Sequence, residues 1–204
     1  MTTYKPRKFS CVNIREFIAQ SETHEQKLSE LLSYFSCPKN SDVENFLKYN
    51  AIDFTKKNQS VTYLIFPVDE ALPAGYFTIA VKTLTISLDD IASKTQQKKI
   101  ERVCKLDKNN RSYTMPAYLI AQLGKNFNSG MNDKISGSEL LSAALEIIKR
   151  LQYLAGGMVA FVEAENNISL LNFYEQNGFK TIEPNLSQRF SEQGHELIQL
   201  FRLI

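Results

Sequence analysis

Apolar residues along this chain fall at two alternating spacings, and the switches between them mark its elements. Over 8–35 the spacing is helical. Ile14, Phe17 and Ile18 form one cluster, and Leu28, Leu31, Leu32 and Phe35 another, with polar Gln20 to Glu25 between them. This predicts a helical stretch over 8–35. Cys37-Pro38-Lys39-Asn40-Ser41 reads as a turn. A further helix is expected from Asp42 to Lys57, burying Val43, Phe46, Leu47 and Phe54.

Val61 to Val68 is rich in β-branched and aromatic residues, breaks at Asp69 to Pro73 and resumes from Ala74 to Val81. An antiparallel hairpin with a loop of about five residues is expected there. Leu88 to Val103 reads as a helix with a charged face, and Lys105 to Arg111 as a polar loop. Pro116 to Gly124 is the most apolar strand candidate, fit for a central position with its proline at the strand start.

After a loop over 125–135, Ser136-Gly137-Ser138-Glu139 has the form of a capping box. Leu140, Leu141, Ala144, Leu145, Ile148, Leu151 and Ala155 then share one helical face, and Gly156-Gly157 ends it. A strand over Met158 to Ala164 leads into a short apolar helix that carries Tyr174 and stops at Asn177-Gly178. Phe179 to Ile182 and Glu196 to Leu203 read as closing strands. This order predicts a mixed sheet flanked by helices.

Composition narrows the picture. The 204 residues fit one large domain or one domain with an extension. A net charge of +2 does not by itself argue for nucleic acid. Locally, Lys94, Lys98, Lys99, Arg102, Lys105, Lys108 and Arg111 face only Glu101 and Asp107, which is either a solvated helix face or a surface that tracks an RNA backbone. Cys11, Cys37 and Cys104 have neither disulfide nor zinc spacing, so a reducing cytoplasm is expected. Cys104 reads as an apolar filler, and His24 and His195 as surface residues. No apolar run spans a bilayer and no signal peptide is evident, so no membrane partner is expected.

Two places concentrate chemistry. At Ser136, Gly137 and Ser138, free N–H groups meet the positive end of a helix dipole, a setting that takes phosphate or pyrophosphate. Gly137 lets a ligand approach the backbone, and Lys125 and Lys134 add charge. The second place is Asn167 to Phe179. It sets a phenol beside a strand end, where α/β folds hold ligands. Asn167 also reads as an N-cap, and Glu163 and Glu165 sit at the strand end.

Together these segments resemble the GNAT superfamily of acyl-CoA-dependent N-acetyltransferases. The family's Gln/Arg-x-x-Gly-x-Gly/Ala loop falls on Asn132 to Gly137. Gly137 keeps the second small position, Ile135 replaces the first glycine, and Asn132 stands at the leading position. Asn167, Phe173-Tyr174-Glu175 and Gly178-Phe179 match more closely. The resemblance covers roughly 61–182. It implies an α/β (α+β) fold with a GNAT-like mixed, mostly antiparallel sheet: a core over 59–204 and a helical extension over 1–58 packed on the same domain.

The resemblance also implies a reaction. Acetyl moves from acetyl-CoA (coenzyme A) to an amine by direct attack in a ternary complex. The cofactor contacts carried over are Gln122, Leu123, Gly124, Lys125, Lys134, Ile135, Ser136, Gly137, Ser138, Asn167, Phe173 and Tyr174. Tyr174 is the expected general acid, the Leu123 N–H the oxyanion donor, and Glu163 or Glu165 a base acting through water. No metal is expected.

Ser36 to Leu47, Ala51, Ser60 to Leu64, Ala74 to Thr78 and Ile120 to Gly124 are similar to one branch, the GNAT toxins of bacterial toxin–antitoxin pairs. Those toxins acetylate the amino group of aminoacyl-tRNA. The acceptor stays open between a small-molecule or peptide amine and aminoacyl-tRNA, the latter bringing a small antitoxin as partner. A homodimer is a further expectation. A reading from a different class is a catalytically weak CoA-binding interaction module, motivated by Ile135 and Asn132.

Overall fold

The first element is a strand where helical spacing predicts a helix. In the computed structural model, which describes residues 8–91, 93–182, 189–190, 194 and 196–204, β1 (Phe9–Asn13) pairs antiparallel with β2 (Val61–Pro67). The register runs from Phe9 opposite Pro67 to Asn13 opposite Tyr63. Pairing with a partner some fifty positions away along the chain overrides the local period. Helix begins only at α1 (Arg15–Ile18) and continues as α2 (Glu22–Ser33), whose N-cap Ser21 accepts from the His24 N–H.

The predicted helix over 42–57 is three pieces: α3 (Ser41–Asn45), a π turn (Phe46–Asn50) and α4 (Ala51–Lys56). The wider π turn rotates α4 out of the 3.6-residue phase. Leu47 is buried as predicted, but Phe54 is 37% exposed and meets Phe46 edge on, with centroids 5.5 Å apart.

β3 (Gly75–Ser87) returns antiparallel to β2, so the hairpin forms, with a longer loop over 68–74 and a strand that continues well past Val81. The helix predicted over 88–103 is shorter. Ser87 caps a separate 3-10 turn (Leu88–Asp90), and Ser93 starts α5 (Lys94–Ile100) by accepting from the Gln96 N–H.

β4 (Ser112–Lys125) runs straight through Pro116 rather than starting there. α6 (Gly137–Ala155) and β5 (Val159–Glu165) come next. β5 joins β4 in parallel only from Tyr118 opposite Ala160, so beside Pro116 that flank has no ladder for a proline to interrupt. α7 (Ile168–Gln176), β6 (Lys180–Thr181), β7 (Arg189–Phe190) and β8 (Glu196–Leu203) complete the chain.

The strand order is β1-β2-β3-β4-β5-β8-β6, with β7 on β8. β1–β2, β2–β3, β5–β8, β6–β8 and β7–β8 are antiparallel and β4–β5 parallel, a mixed and mostly antiparallel sheet. By contacts the chain divides into two units, Met1–Ile79 with Gln122–Ala144, and Ala80–Ala121 with Leu145–Ile204.

The first unit buries Leu28, Leu32, Phe35, Leu47, Leu64 and Tyr76 together. Tyr76 donates its hydroxyl to the Val43 carbonyl at 2.5 Å and meets Phe35 edge on. The second unit buries Leu84, Ile86, Ile100, Tyr113, Phe161 and Phe201. Each fully buried leucine or phenylalanine is worth about 1.5–3 kcal/mol against an exposed one. No helix among the described residues is long and apolar enough to cross a membrane, and no group of three or more His, Cys, Asp or Glu among them could hold a metal. His195 lies outside the described residues.

Candidate functional site

In the first unit the predicted pyrophosphate loop lines a cleft of about 440 Å³. Ile135 is buried, so its side chain serves the core while the loop backbone stays at the cleft. Ser136 caps α6. Its hydroxyl accepts from the Glu139 N–H at 3.2 Å, and Glu139 Oε2 accepts from the Ser136 N–H at 2.9 Å, the reciprocal capping box. These bonds to Ser136, with Lys8 and Lys125 adding charge, hold the Glu139 carboxyl below the usual carboxylate range. A carboxylate therefore already sits on one of the donors that an anion at this helix start would use.

Lys134, predicted to add charge here, makes a 2.6 Å ion pair with Glu70. Lys125 lines the cleft. Lys8, which sequence reasoning missed, lines it too, delivered by β1. The misread strand is why it was missed: a helix over 8–35 leaves Lys8 no reason to meet residues near 134. Glu139, which lines the cleft, and Glu70, the partner of Lys134, were not singled out either. Glu139 had its signal in the capping box, while Glu70 had none.

Gln122 and Leu123 are half-buried at the end of β4. Gly124 is buried, and an added Cβ would overlap Val43 Cγ1 while meeting Tyr76 and Phe35 at ordinary contact distance. Its glycine is thus required for side chains of the N-terminal helices to pack against the strand.

In the second unit the later motif is built as predicted. Asn167 caps α7, its Oδ1 accepting from the Ser169 N–H at 3.0 Å and the Leu170 N–H at 3.3 Å. Asn177 and Gly178, with φ of +83° at the glycine, end the helix, and Arg202 Nη1 clamps the Asn177 carbonyl at 2.7 Å. Tyr174 is buried between Phe173, at 5.1 Å, and Phe179, at 5.6 Å, both edge on. Burial pushes its phenol well above the ordinary tyrosine range. It stays a neutral proton donor across the physiological range. Glu163 is half-buried and accepts from Gln199 Nε2 at 2.8 Å.

β4 and β5 pair at Tyr118–Ala160 and Leu119–Phe161. From Val162 to Glu165 the register partners of β5 are Leu200 to Leu197 on β8. Among the described residues β4 supplies none of them, so the two parallel strands stop pairing after Leu119. The basic segment is also in this unit. Lys94, Lys98, Lys99, Arg102, Lys105, Lys108 and Arg111 are all exposed. Among the described residues only Arg111 of the seven has an acidic partner, Asp89 at 2.9 Å.

A mixed, mostly antiparallel sheet whose parallel β4–β5 pair is brief, with a capped helix after β4 and a tyrosine-bearing helix after β5, defines a GNAT-like α/β fold. Solved structures share it. AtaT complexed with acetyl-methionyl-tRNAfMet is 16% identical, with a TM-score of 0.62 over 93% of each chain. A tyrosine-to-phenylalanine mutant of KacT is 17% identical, with a TM-score of 0.63 over 97% of this chain and 95% of that one. A tyrosine-to-phenylalanine mutant of the AtaT toxin bound to the C-terminus of the antitoxin AtaR and acetyl-CoA is 14% identical, with a TM-score of 0.56 over 97% and 94%. No family model matches the sequence, and no curated protein matches it.

Proposed function

We propose that this protein is an N-acetyltransferase that moves acetyl from acetyl-CoA to an amine by direct attack. The observation that carries the reading is Tyr174: a buried, protonated phenol on the Asn167-capped helix after β5. The shared fold with AtaT, a chain solved with acetyl-CoA, supports it. For a polyanion the cleft offers Lys8 and Lys125 beside the start of α6, while Lys134 is paired with Glu70 and Asp133 and Glu139 share the lining. Ser136, Gly137, Ser138 and the backbone of Ile135 would hold the pyrophosphate, and Gln122, Leu123 and Gly124 the arm that leads to the thioester.

Acetyl-CoA would supply the acetyl group as a thioester. The chain's residues do the rest. The Leu123 N–H donates to the carbonyl oxygen as negative charge gathers there, a contribution of about 2.7–4 kcal/mol for a preorganised donor. Tyr174 gives its proton to the departing sulfur. Glu163, oriented by Gln199, takes the amine's proton through water. The amine must be neutral to attack. An α-amino group near pKa 8 needs little help, while a lysine near 10.4 needs about two units more.

A second reading places the amine on aminoacyl-tRNA, with a small antitoxin as partner. The exposed cations of α5 and the loop after it favour it, as does the AtaT complex with acetyl-methionyl-tRNAfMet. The test is acetyl transfer from acetyl-CoA to free amines, peptides and aminoacyl-tRNA in parallel. Turnover on any of them supports the enzyme, and the best acceptor selects the reading. Binding of CoA with no transfer to any acceptor would leave only a CoA-binding module.

A further inference from the structure

We infer that Asn126 is the positioning residue of the cofactor loop, tying its first residues to the end of α2; this rests on the acetyl-CoA reading above. Asn126 comes directly after the last residue of β4 and is fully buried. Its Oδ1 accepts from the Ser36 N–H at 3.1 Å and the Asn128 N–H at 3.0 Å. Its Nδ2 donates to the Pro73 carbonyl at 2.9 Å, and its own N–H to the Ala74 carbonyl at 2.8 Å. The amide orientation is set by the chemistry, because both partners of the oxygen are donors and the partner of the nitrogen is a carbonyl.

Two neighbouring bonds run in parallel. The Phe127 N–H donates to the Ser36 carbonyl at 2.7 Å, and Asn128 Nδ2 to the Tyr34 carbonyl at 2.7 Å. Three separate segments, 34–36, 73–74 and 126–128, therefore meet on one side chain. Two short 3-10 turns follow over Asn128–Asp133, broken at Ser129 and Gly130, whose φ values are positive, so the anchor at Asn126 sets where they start. Only asparagine serves all three side-chain bonds. Aspartate keeps the two N–H partners but turns an oxygen on the Pro73 carbonyl, and alanine leaves all three groups buried without a partner.

The test compares Asn126→Ala, Asn126→Asp and the half-buried Asn128→Ala with Thr62→Val. Thr62 shares a buried 2.8 Å hydroxyl pair with Thr78 in the same unit, so its variant is destabilised without touching the loop. Two readouts are taken: hydrogen exchange of the amides over 127–135, and coenzyme A affinity by calorimetry. In Asn126→Ala both the exchange rate and the Kd are expected to rise by at least about tenfold, since each of the three lost side-chain bonds is worth up to that much. Asn128→Ala shifts both in the same direction by less, and Asn126→Asp, which sets a buried oxygen against the Pro73 carbonyl, raises both as well. Thr62→Val lowers the melting midpoint and moves neither readout.

Unchanged loop exchange in Asn126→Ala, or in Asn126→Asp where the alanine variant does not fold, overturns the inference. So does an equal loss of affinity in Thr62→Val, which would make the effect mere destabilisation. A wild-type chain that takes up no coenzyme A would instead sink the acetyl-CoA reading, while loop exchange would still decide whether Asn126 holds the loop.

Discussion

Tyr174 and Phe179 meet edge to face, ring centroids 5.6 Å apart, across the Asn177-Gly178 helix stop. The turn that ends α7 thus folds an aromatic wall against the phenol one turn before it. Phe173 closes on the same ring at 5.1 Å. This packing fixes the ring, as a positioned proton donor requires. Tyr174→Phe is expected to keep these contacts and to lower acetyl transfer by about 10²–10⁴-fold, the usual worth of a general acid. Coenzyme A affinity should stay near wild type. Single-turnover rates with calorimetry alongside check both, and an unchanged rate would remove Tyr174 from the mechanism.

Alkaline stability depends on the same burial. The phenols of Tyr174 and Tyr76 are both raised by desolvation in the folded chain. Between the unfolded tyrosine value, near 10, and the higher folded values, the unfolded state holds fewer protons than the native one. Stability from these groups is therefore complete below about pH 10 and falls as pH rises above it. Urea midpoints from about pH 8 to about pH 11.5 should drop beyond about pH 10, less steeply in Tyr174→Phe.

Glu139 occupies the donor that a pyrophosphate would approach. Glu139→Gln keeps an oxygen for the capping box while removing the charge. Neutralising one charge at a helix start changes anion affinity by about 0.3–1 kcal/mol, so coenzyme A should bind roughly two- to fivefold tighter at low salt. The bonds from Ser136 depress the folded pKa of this carboxyl. Its contribution to stability is thus present above the unfolded value, near 4.3, and lost as pH falls through the folded one. Acid titration of stability should lose that component in the variant. Weaker coenzyme A binding in Glu139→Gln would show that the carboxylate helps rather than competes.

Gly124 leaves room for Val43, Tyr76 and Phe35. Gly124→Ala adds a methyl group where the site is already filled, and overpacking of that kind costs about 1–3 kcal/mol. Equilibrium unfolding in urea measures it, and a change below about 0.5 kcal/mol, the range of neutral surface substitutions, would refute the packing argument.

The exposed cations of α5 separate the two acceptor readings. Lys98→Glu, Lys99→Glu and Arg102→Glu together should weaken binding of aminoacyl-tRNA and flatten its salt dependence if that segment neutralises phosphates. Turnover on a small amine should not change. Equal tRNA affinity in the triple variant would leave the segment as a solvated face.

The legible parts of the site are those whose chemistry is local. Ser136 and Glu139 lie three residues apart and make the predicted reciprocal bonds. Asn167 caps the helix that carries Tyr174, and Gly178 ends it in the left-handed region. Lys134 was expected to offer free charge, yet Glu70, far off in the chain, holds it. Nothing within a few residues of Lys134 forecasts that partner.

The sequence alone determined the order of the elements from β2 onward apart from β7, the caps and stops of α6 and α7, and the place of Tyr174 on its short apolar helix, because each rests on periods and side-chain bonds spanning a handful of residues. Tertiary structure decided that 9–13 is a strand, that Pro116 sits inside one, and that Asn126 gathers three distant segments. Ladder pairing and the satisfaction of buried polar groups are settled between positions far apart in the chain, where local spacing carries no information.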